Sequence, residues 1–151
     1  MRLSIVGTGY VGLVSGVGLA EVGHDVICVD MDQAKVELIN KAVPPIYELG
    51  LEELLTKNVG TRLNATTDLR SAILATELTL ISVGTPFDGE QIDLTYVREA
   101  VRQIGEVLAD KDSYHTVVVK STVVPGTTTH VVLPALETAS GKSAGPTSGS
   151  V

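Results

Sequence analysis

The chain has 151 residues, of which 44% are hydrophobic and 3% aromatic, and its formal net charge at pH 7 is −7. This length and this hydrophobic fraction indicate one globular domain with an aliphatic core and exclude a disordered chain. The acidic balance argues against a nucleic-acid or anionic-membrane surface, because such a surface needs clustered positive charge. Cys28 is the only cysteine, and no signal peptide or bilayer-spanning stretch is recognisable, so we expect a cytoplasmic protein without disulfides.

The first predicted unit is a strand, a glycine-rich turn and a helix. Apolar residues at 3–6 predict a strand, which runs directly into Gly7-Thr8-Gly9-Tyr10-Val11-Gly12. A helix is predicted at 10–22, and Gly23 is well suited to end it. A Gly-x-Gly-x-x-Gly run in this strand–turn–helix context is typical of dinucleotide binding.

Each glycine of this run has a distinct expected role. Gly7 makes the tight turn, Gly9 lets the backbone approach a pyrophosphate, and Gly12 allows close packing of the helix on the strand. The amides of Tyr10 and Val11 then lie at a helix N-terminus, where unpaired N–H groups and the helix dipole favour an anion. The alternative is a glycine-containing turn that binds no ligand.

The second predicted strand, at 25–30, ends in the acidic residue Asp30. An acid there accepts hydrogen bonds from the adenosine ribose and repels a 2′-phosphate, which favours NAD over NADP. The alternative role of capping the next helix is available to Asp32, which precedes a helix predicted to run to about Lys41. Lys35 is a candidate contact to the same ribose or to the adenosine phosphate, or else an ordinary solvated lysine.

The rest of the chain also alternates between helical and extended patterns. Pro44 and Pro45 end the second helix, because proline and the residue before it resist helical geometry. The elements predicted after them are helices at 50–55, 68–75, 93–108 and 127–138, the last bent or interrupted at Pro134, and strands at 63–66, 78–83 and 116–120, with a loop at 87–92.

Two of these strands end in hydroxyl-bearing turns, Gly84-Thr85-Pro86 and Lys120-Ser121-Thr122. In a parallel sheet both turns lie at the carboxyl edge, where ligands bind at the point of strand-order reversal. Thr85 and Thr122 therefore offer hydroxyls to a cofactor in that crevice. Either turn alone is a weak signal, because Gly-Thr-Pro is a common turn and Ser and Thr commonly cap helices.

The alternation predicts an α/β fold of the Rossmann type, a doubly wound, mostly parallel sheet with helices on both faces and strand order 3-2-1-4-5. We predict an NAD-binding domain over residues 1–139 and a flexible tail or truncated linker over 140–151. Cys28 lies inside a strand and is expected to be structural rather than nucleophilic. The scattered histidines have no metal-ligand spacing, so we predict no metal site.

Five blocks together carry a resemblance to a known family. They are Gly7-Thr8-Gly9-Tyr10-Val11-Gly12, Val29-Asp30 with Lys35, Pro45-Ile46-Tyr47-Glu48-Leu49-Gly50-Leu51, Val83-Gly84-Thr85-Pro86 and Lys120-Ser121-Thr122-Val123-Val124-Pro125-Gly126-Thr127-Thr128. In this order they resemble the UDP-glucose/GDP-mannose dehydrogenase family, from residue 1 to about 145. The resemblance implies NAD as cofactor and contacts to it from Val11, Asp30, Lys35, Thr85 and Thr122.

The family uses NAD twice, taking an alcohol of a nucleotide sugar through an aldehyde and a cysteine-bound thioester to a carboxylate. The resemblance implies that Thr122 helps position a water near the reacting carbon. The family's Asn-Pro-Glu-Phe-Leu segment, its nucleophilic cysteine, its dimer-forming helix and its nucleotide-sugar domain have no match here. We therefore expect a piece of a longer, homodimeric enzyme that binds NAD and needs the missing domain to bind the sugar.

Several alternatives stay open at this point. The chain could instead be a stand-alone dinucleotide-binding regulatory module, or a different Rossmann dehydrogenase of the 3-hydroxyacid or 6-phosphogluconate type. Within the family, a UDP-glucose 6-dehydrogenase is the expected enzyme, and GDP-mannose and UDP-N-acetylmannosamine are the alternative substrates. We expect no nucleic-acid or membrane partner.

Overall fold

Residues 1–145, which a computed structural model describes, form one five-stranded sheet flanked by helices. The strands are β1 (Arg2–Val6), β2 (Asp25–Val29), β3 (Leu63–Thr66), β4 (Leu78–Ile81) and β5 (Thr116–Val119). The helices are α1 (Tyr10–Glu21), α2 (Gln33–Asn40), α3 (Leu51–Asn58), α4 (Leu69–Ala75), α5 (Thr95–Ala109) and α6 (Leu133–Ser140), with a π-helical turn at Thr128–Val132 before α6. From residue 146 onward the predicted tail lies outside the described residues, and its boundary at 139 stays a prediction.

The strand order is β3-β2-β1-β4-β5, and every neighbouring pair is parallel. This confirms the predicted order and the Rossmann-type fold. The central strand β1 pairs through Val6 with Val29 on one side and Ile81 on the other. The three strands therefore end level with one another at the point where the chain order reverses, which is where an open α/β sheet forms its ligand crevice.

Two aliphatic cores cover the two faces of the sheet. One core joins β1 and β2 to α1, α2 and α3 and includes the fully buried Ile5, Leu13 and Leu55. The other joins the sheet to α4 and α5 and includes Ile73 and Ile104. Burial on both faces explains why the inner strand β2 reads as an apolar run rather than an alternating one.

Small residues bring α1 close to the sheet, as its sequence predicts. A Cβ added at Gly16 would lie 3.1 Å from both Cys28 Sγ and Ile5 Cδ1, so a larger side chain would push the helix outward. At its end the helix closes as predicted on Gly23, which has φ +103°. The Gly23 and His24 amides donate to the carbonyls of Ala20 and Leu19, the paired bonds of a Schellman motif.

The last helical segment differs in detail from the bent helix predicted at 127–138. Its first turn is π-helical, at Thr128–Val132, and the regular helix begins only at Leu133, so that Pro134 falls in its first turn. Proline has no N–H to donate within a helix, and the hydrogen-bond pattern of this helical run changes from π-helical to α-helical just before it. The change beside Pro134 agrees with the predicted interruption of the helix.

A buried polar chain crosses the amino-terminal edge of the sheet. The Lys111 ammonium donates to the carbonyls of Ile73 (2.6 Å) and Thr76, and lies 2.9 Å from Nδ1 of His115. Nε2 of His115 lies 2.7 Å from the Thr79 hydroxyl, which in turn contacts Ser4 at 2.8 Å. With Lys111 charged, His115 is held neutral with its proton on Nε2. Burial, reinforced by the Lys111 charge, lowers the pKa of His115 to about 4.

We expect His115 to make the fold sensitive to mild acid. Its folded pKa of about 4 is below the ordinary value of 6.5, so between those values the unfolded chain binds a proton that the folded chain does not. The free energy of unfolding therefore falls as pH drops through this window. Urea unfolding across it should show a smaller pH slope for His115→Gln than for the exposed-residue control His130→Gln. Equal slopes would contradict the assignment.

Candidate dinucleotide site

A cleft of about 740 Å³ opens at the carboxyl edge of the sheet. It is lined by the glycine turn, the end of β2, the loops after β4 and β5, and one face of α5. The sequence-predicted residues that line it are Gly7, Gly9, Tyr10, Val11, Asp30, Lys35, Thr85 and Thr122. Gly12, the remaining predicted residue, is buried within α1. The fold thus gathers residues from four separate parts of the sequence around one space.

The glycine turn has the geometry that its sequence predicts. Gly7 has φ +97°, and a Cβ there would lie 2.7 Å from the Ser82 carbonyl oxygen. A Cβ at Gly12 would lie only 1.9 Å from the Gly7 carbonyl oxygen. Gly9 is different, because no atom of the described residues lies within 4 Å of an added Cβ there. Gly7 and Gly12 therefore build the turn, and Gly9 leaves open the space that a bound phosphate group needs.

The same turn starts α1, whose N-cap residue is Gly9. Among residues 1–145, no side chain donates or accepts a capping bond at this helix start. Tyr10 and Val11, the first two helical residues, both line the cleft. First-turn N–H groups have no partner within their own helix, so an anion in the cleft would satisfy them and interact favourably with the helix dipole.

Asp30 lies just beyond the end of β2 and braces the glycine turn. Its Oδ2 accepts from the Thr8 amide (2.8 Å) and the Thr8 hydroxyl (2.5 Å), and its Oδ1 accepts from the Asp32 amide (3.0 Å). Partial burial favours the neutral acid, but these hydrogen bonds and the Lys35 charge outweigh it and lower the pKa of Asp30. The carboxylate is therefore ionised at neutral pH and retains acceptor capacity toward a ribose.

The competing role of helix cap falls to Asp32, as predicted. Its Oδ1 accepts from the amides of Ala34 (2.9 Å) and Lys35 (3.3 Å) at the start of α2. Asp30 is therefore not needed to cap that helix. Lys35 is half-buried, lines the cleft and lies close enough to Asp30 to favour its ionised form. The pair presents one acceptor and one cation at the same end of the cleft.

The loops after β4 and β5 are tied together at the other end of the cleft. The Thr85 hydroxyl donates to the Thr122 carbonyl oxygen (2.7 Å), and the Ser121 hydroxyl donates to the Val83 carbonyl oxygen (2.8 Å). These bonds hold both turns in one arrangement. The Thr85 hydroxyl proton is used in the bond to Thr122, so this hydroxyl can only accept a hydrogen bond from a ligand. The Thr122 side chain is exposed.

Sequence reasoning missed Ser82 and one face of α5. Ser82 lines the cleft between two apolar residues, and its buried hydroxyl has no hydrogen-bond partner among residues 1–145. The available signal was a hydroxyl at the carboxyl end of an apolar strand. The α5 residues Tyr96, Glu99 and Gln103 also line the cleft. Their periodicity identified only the buried side of that helix, so their placement required the tertiary structure.

Replacing Ser82 by alanine should separate stability from ligand binding. Removing an unpaired buried hydroxyl should raise the free energy of unfolding by about 1 kcal/mol, because the desolvation penalty disappears. If that hydroxyl bonds to a bound dinucleotide or an associated water, the same change should weaken NAD binding. Thermal unfolding with and without NAD measures both effects. A variant that is less stable and binds NAD normally would contradict this role for Ser82.

Among the described residues, neither a cysteine nucleophile nor a cluster of metal ligands is found. Cys28 is fully buried, and burial, with a smaller contribution from the Asp30 charge, raises the pKa of its thiol to about 12. It is therefore a neutral thiol against Gly16 and not a nucleophile. Within the described part of the chain, no group of three or more His, Cys, Asp or Glu side chains is placed to hold a metal ion. None of the helices described is long and apolar enough to cross a bilayer.

A parallel sheet of this order, with a glycine turn after β1 and an acid after β2, defines a dinucleotide-binding domain of the Rossmann class. The chain belongs to the UDP-glucose/GDP-mannose dehydrogenase family, whose NAD binding domain it matches over residues 1–149. NAD is therefore the cofactor of this domain, and the alternative of a 3-hydroxyacid or 6-phosphogluconate type is set aside.

Proteins similar to this chain include both a GDP-mannose and a UDP-glucose dehydrogenase. The chain is 51% identical over 147 residues to GDP-mannose 6-dehydrogenase of Pseudomonas syringae pv. tomato, covering 96% of this chain and 34% of that protein. It is 48% identical over 146 residues to a UDP-glucose 6-dehydrogenase of Haloferax volcanii, with the same coverage. A solved ternary complex of GDP-mannose dehydrogenase from Pseudomonas aeruginosa superposes with a TM-score of 0.94 at 46% identity, covering 97% of this chain and 34% of that one. The chain thus spans about a third of the length of these relatives.

Proposed function

We propose that this chain holds NAD along the cleft, as the cofactor-binding part of an enzyme that oxidises a nucleotide sugar to its uronate in two steps. The observation that carries the proposal is the convergence of the glycine turn, Asp30, Thr85 and Thr122 on one space. The open space at Gly9 and the unpaired hydroxyl of Ser82 fit a bound dinucleotide.

The orientation of the cofactor follows from the charges and donors on each side. The pyrophosphate lies at Gly9 and the first turn of α1, where backbone N–H groups face an anion. The adenosine ribose lies at Asp30, and Lys35 stands beside it. The nicotinamide end then extends toward Thr85 and Thr122. Bound there, NAD supplies the hydride acceptor for the oxidation.

Thr122 is the residue of this chain that we place nearest to the reacting carbon. Its side chain is exposed at the cleft, while its carbonyl is fixed by the Thr85 hydroxyl. A hydroxyl held on such a braced turn can position a water by accepting one of its protons. This role is proposed from the family resemblance together with that placement.

The substrate class is a nucleotide sugar, with UDP-glucose as the first candidate and GDP-mannose and UDP-N-acetylmannosamine as alternatives. Relatives named as UDP-glucose and GDP-mannose dehydrogenases are 48% and 51% identical to this chain, so sequence identity does not choose between those two sugars. A solved UDP-D-ManNAc dehydrogenase from Pyrococcus horikoshii is 29% identical with a TM-score of 0.84. The family-level match therefore supports the class, and the choice of sugar requires an assay with each.

We further propose that these 151 residues bind NAD without turning over a sugar. The second oxidation passes through a thioester and needs an activated thiolate, whereas Cys28 is a buried, neutral thiol. The first oxidation needs the nucleotide sugar held against the nicotinamide, and the family resemblance assigns that task to a domain that these residues do not match. Incubation with NAD and either UDP-glucose or GDP-mannose should give no NADH absorbance, while NAD still binds in a parallel titration. NADH formation that survives Cys28→Ser would show that other residues of this chain carry out the oxidation. Absence of NAD binding would contradict the proposed function itself.

A further inference from the structure

One block of the sequence, the segment 45–51 that leads into α3, does not line the cleft itself. Its Glu48 is half-buried, and Glu48 Oε2 accepts a hydrogen bond from the Tyr10 hydroxyl. Among the described residues Glu48 makes no ion pair, so Tyr10 is its principal polar partner. This contact joins the segment to the first residue of α1, 38 positions earlier in the chain.

The segment presents Glu48 from a fixed turn. The Leu51 amide donates to the Glu48 carbonyl oxygen (3.2 Å), and Gly50 between them has φ +81°, the conformation that such a turn needs. Leu51 is 3% exposed and belongs to the core beneath α1, and α3 packs against α1. The carboxylate is therefore anchored to the same framework that carries the glycine turn.

Tyr10 is the group that this carboxylate restrains. Its backbone starts α1 at the anion-favouring helix end, and its side chain lines the cleft while remaining 54% exposed. An exposed aromatic ring at the mouth of a cleft has several rotamers open to it. The hydrogen bond to Glu48 selects one of them, and it also raises the pKa of Tyr10.

We propose that Glu48 is a positioning residue for NAD, acting through the Tyr10 ring. The inference rests on the proposed function, because it assumes that the pyrophosphate lies at the start of α1. With its ring fixed by Glu48, Tyr10 forms one wall of the phosphate end of the cleft before the cofactor arrives. Pre-ordering a side chain removes part of the entropy cost of binding.

The test compares Glu48→Ala, Tyr10→Phe and the double variant by calorimetric titration with NAD and with AMP. Each single variant should bind NAD about threefold to tenfold more weakly, from the cost of ordering one side chain. The double variant should be no weaker than either single one, because both remove the same interaction. AMP lacks the second phosphate and the nicotinamide end, so its affinity should change little. Glu48→Gln should restore NAD binding, because its amide oxygen also accepts from the phenol.

Two measurements separate this role from a general loss of structure. Glu52→Ala removes the same charge from an exposed position in the first turn of α3, and it should leave NAD binding unchanged. Ultraviolet titration, read as the difference from Tyr10→Phe, should show the Tyr10 pKa falling toward its ordinary value in Glu48→Ala. NAD affinity in Glu48→Ala equal to that of Glu52→Ala, or tighter than in the wild type, would overturn the proposal. If the wild type binds NAD and Asp30→Ala binds it more weakly, a negative result for Glu48 leaves the proposed function standing. If the wild type does not bind NAD, both the proposed function and the role of Glu48 are contradicted.

Discussion

Replacing Asp30 with alanine is expected to weaken NAD binding by about tenfold to a hundredfold. A hydrogen bond to a charged acceptor is worth roughly 1.5–3 kcal/mol when its partner would otherwise be left unpaired, and about 1.4 kcal/mol is a factor of ten. The loss also removes the two bonds from Thr8 that brace the glycine turn. Discrimination against NADP should shrink at the same time, because the charge that repels a 2′-phosphate is gone. Calorimetric titration with both cofactors measures the two effects.

Asp32→Ala is the matched control for this prediction. It removes a carboxylate two residues away that caps α2 through the amides of Ala34 and Lys35. Loss of a helix N-cap costs about 1 kcal/mol of stability, so the control should be the less stable protein with nearly normal NAD affinity. If both variants lose NAD affinity equally, Asp30 has no special place in the site. Unchanged affinity in Asp30→Ala would remove it from the site altogether.

Gly12→Ala is expected to have the largest effect on the fold itself. The added methyl would lie 1.9 Å from the Gly7 carbonyl oxygen and 3.3 Å from Ser82 Cβ, and a backbone oxygen cannot move aside as a flexible side chain can. Either α1 shifts away from β1 or the glycine turn opens, and overpacking of this kind costs about 3 kcal/mol. Because the turn is also the proposed phosphate site, NAD affinity should fall beyond the limit of measurement.

Gly18→Ala provides the control in the same helix. No atom of the described residues lies within 4 Å of a Cβ added at Gly18, and the residue is exposed. An alanine in an exposed helix interior is more favourable than glycine by up to about 1 kcal/mol, so this variant should be slightly more stable and bind NAD normally. Urea unfolding of the two variants tests the pair. A Gly12→Ala protein as stable as the wild type would show that the turn is not packed as described.

The sheet and the glycine turn were predictable because their signals are local. The glycine turn at 7–12 can be predicted from its own glycines and the strand before it. Apolar runs of four to six residues separated by helical patterns are sufficient to predict a parallel sheet. The assignment of the cap to Asp32 and not Asp30 also followed from short-range spacing. The sequence signals for these features lie within a few residues of one another, and the structure confirms the sheet and the Asp32 cap.

The remaining features depend on contacts between distant parts of the chain. The Thr8–Asp30 and Tyr10–Glu48 bonds join residues 22 and 38 positions apart, and no periodicity encodes such pairs. The start of α5 differs from its prediction for a local reason. Asp93 accepts from the Thr95 amide and hydroxyl, so the helix begins at Thr95 and not at 93 as predicted. The place of Ser82 in the cleft was not predicted, because a single hydroxyl in an apolar strand is ordinarily hydrogen-bonded to its neighbours.

Calorimetric titration of the wild-type chain with NAD, and separately with NADP, tests the central claim most directly. The claim is that the glycine turn and Asp30 together form an NAD site in these residues. We predict a single NAD site per chain and clearly weaker binding of NADP, since the Asp30 carboxylate is ionised and repels a 2′-phosphate. Absence of NAD binding, or a preference for NADP, would contradict it.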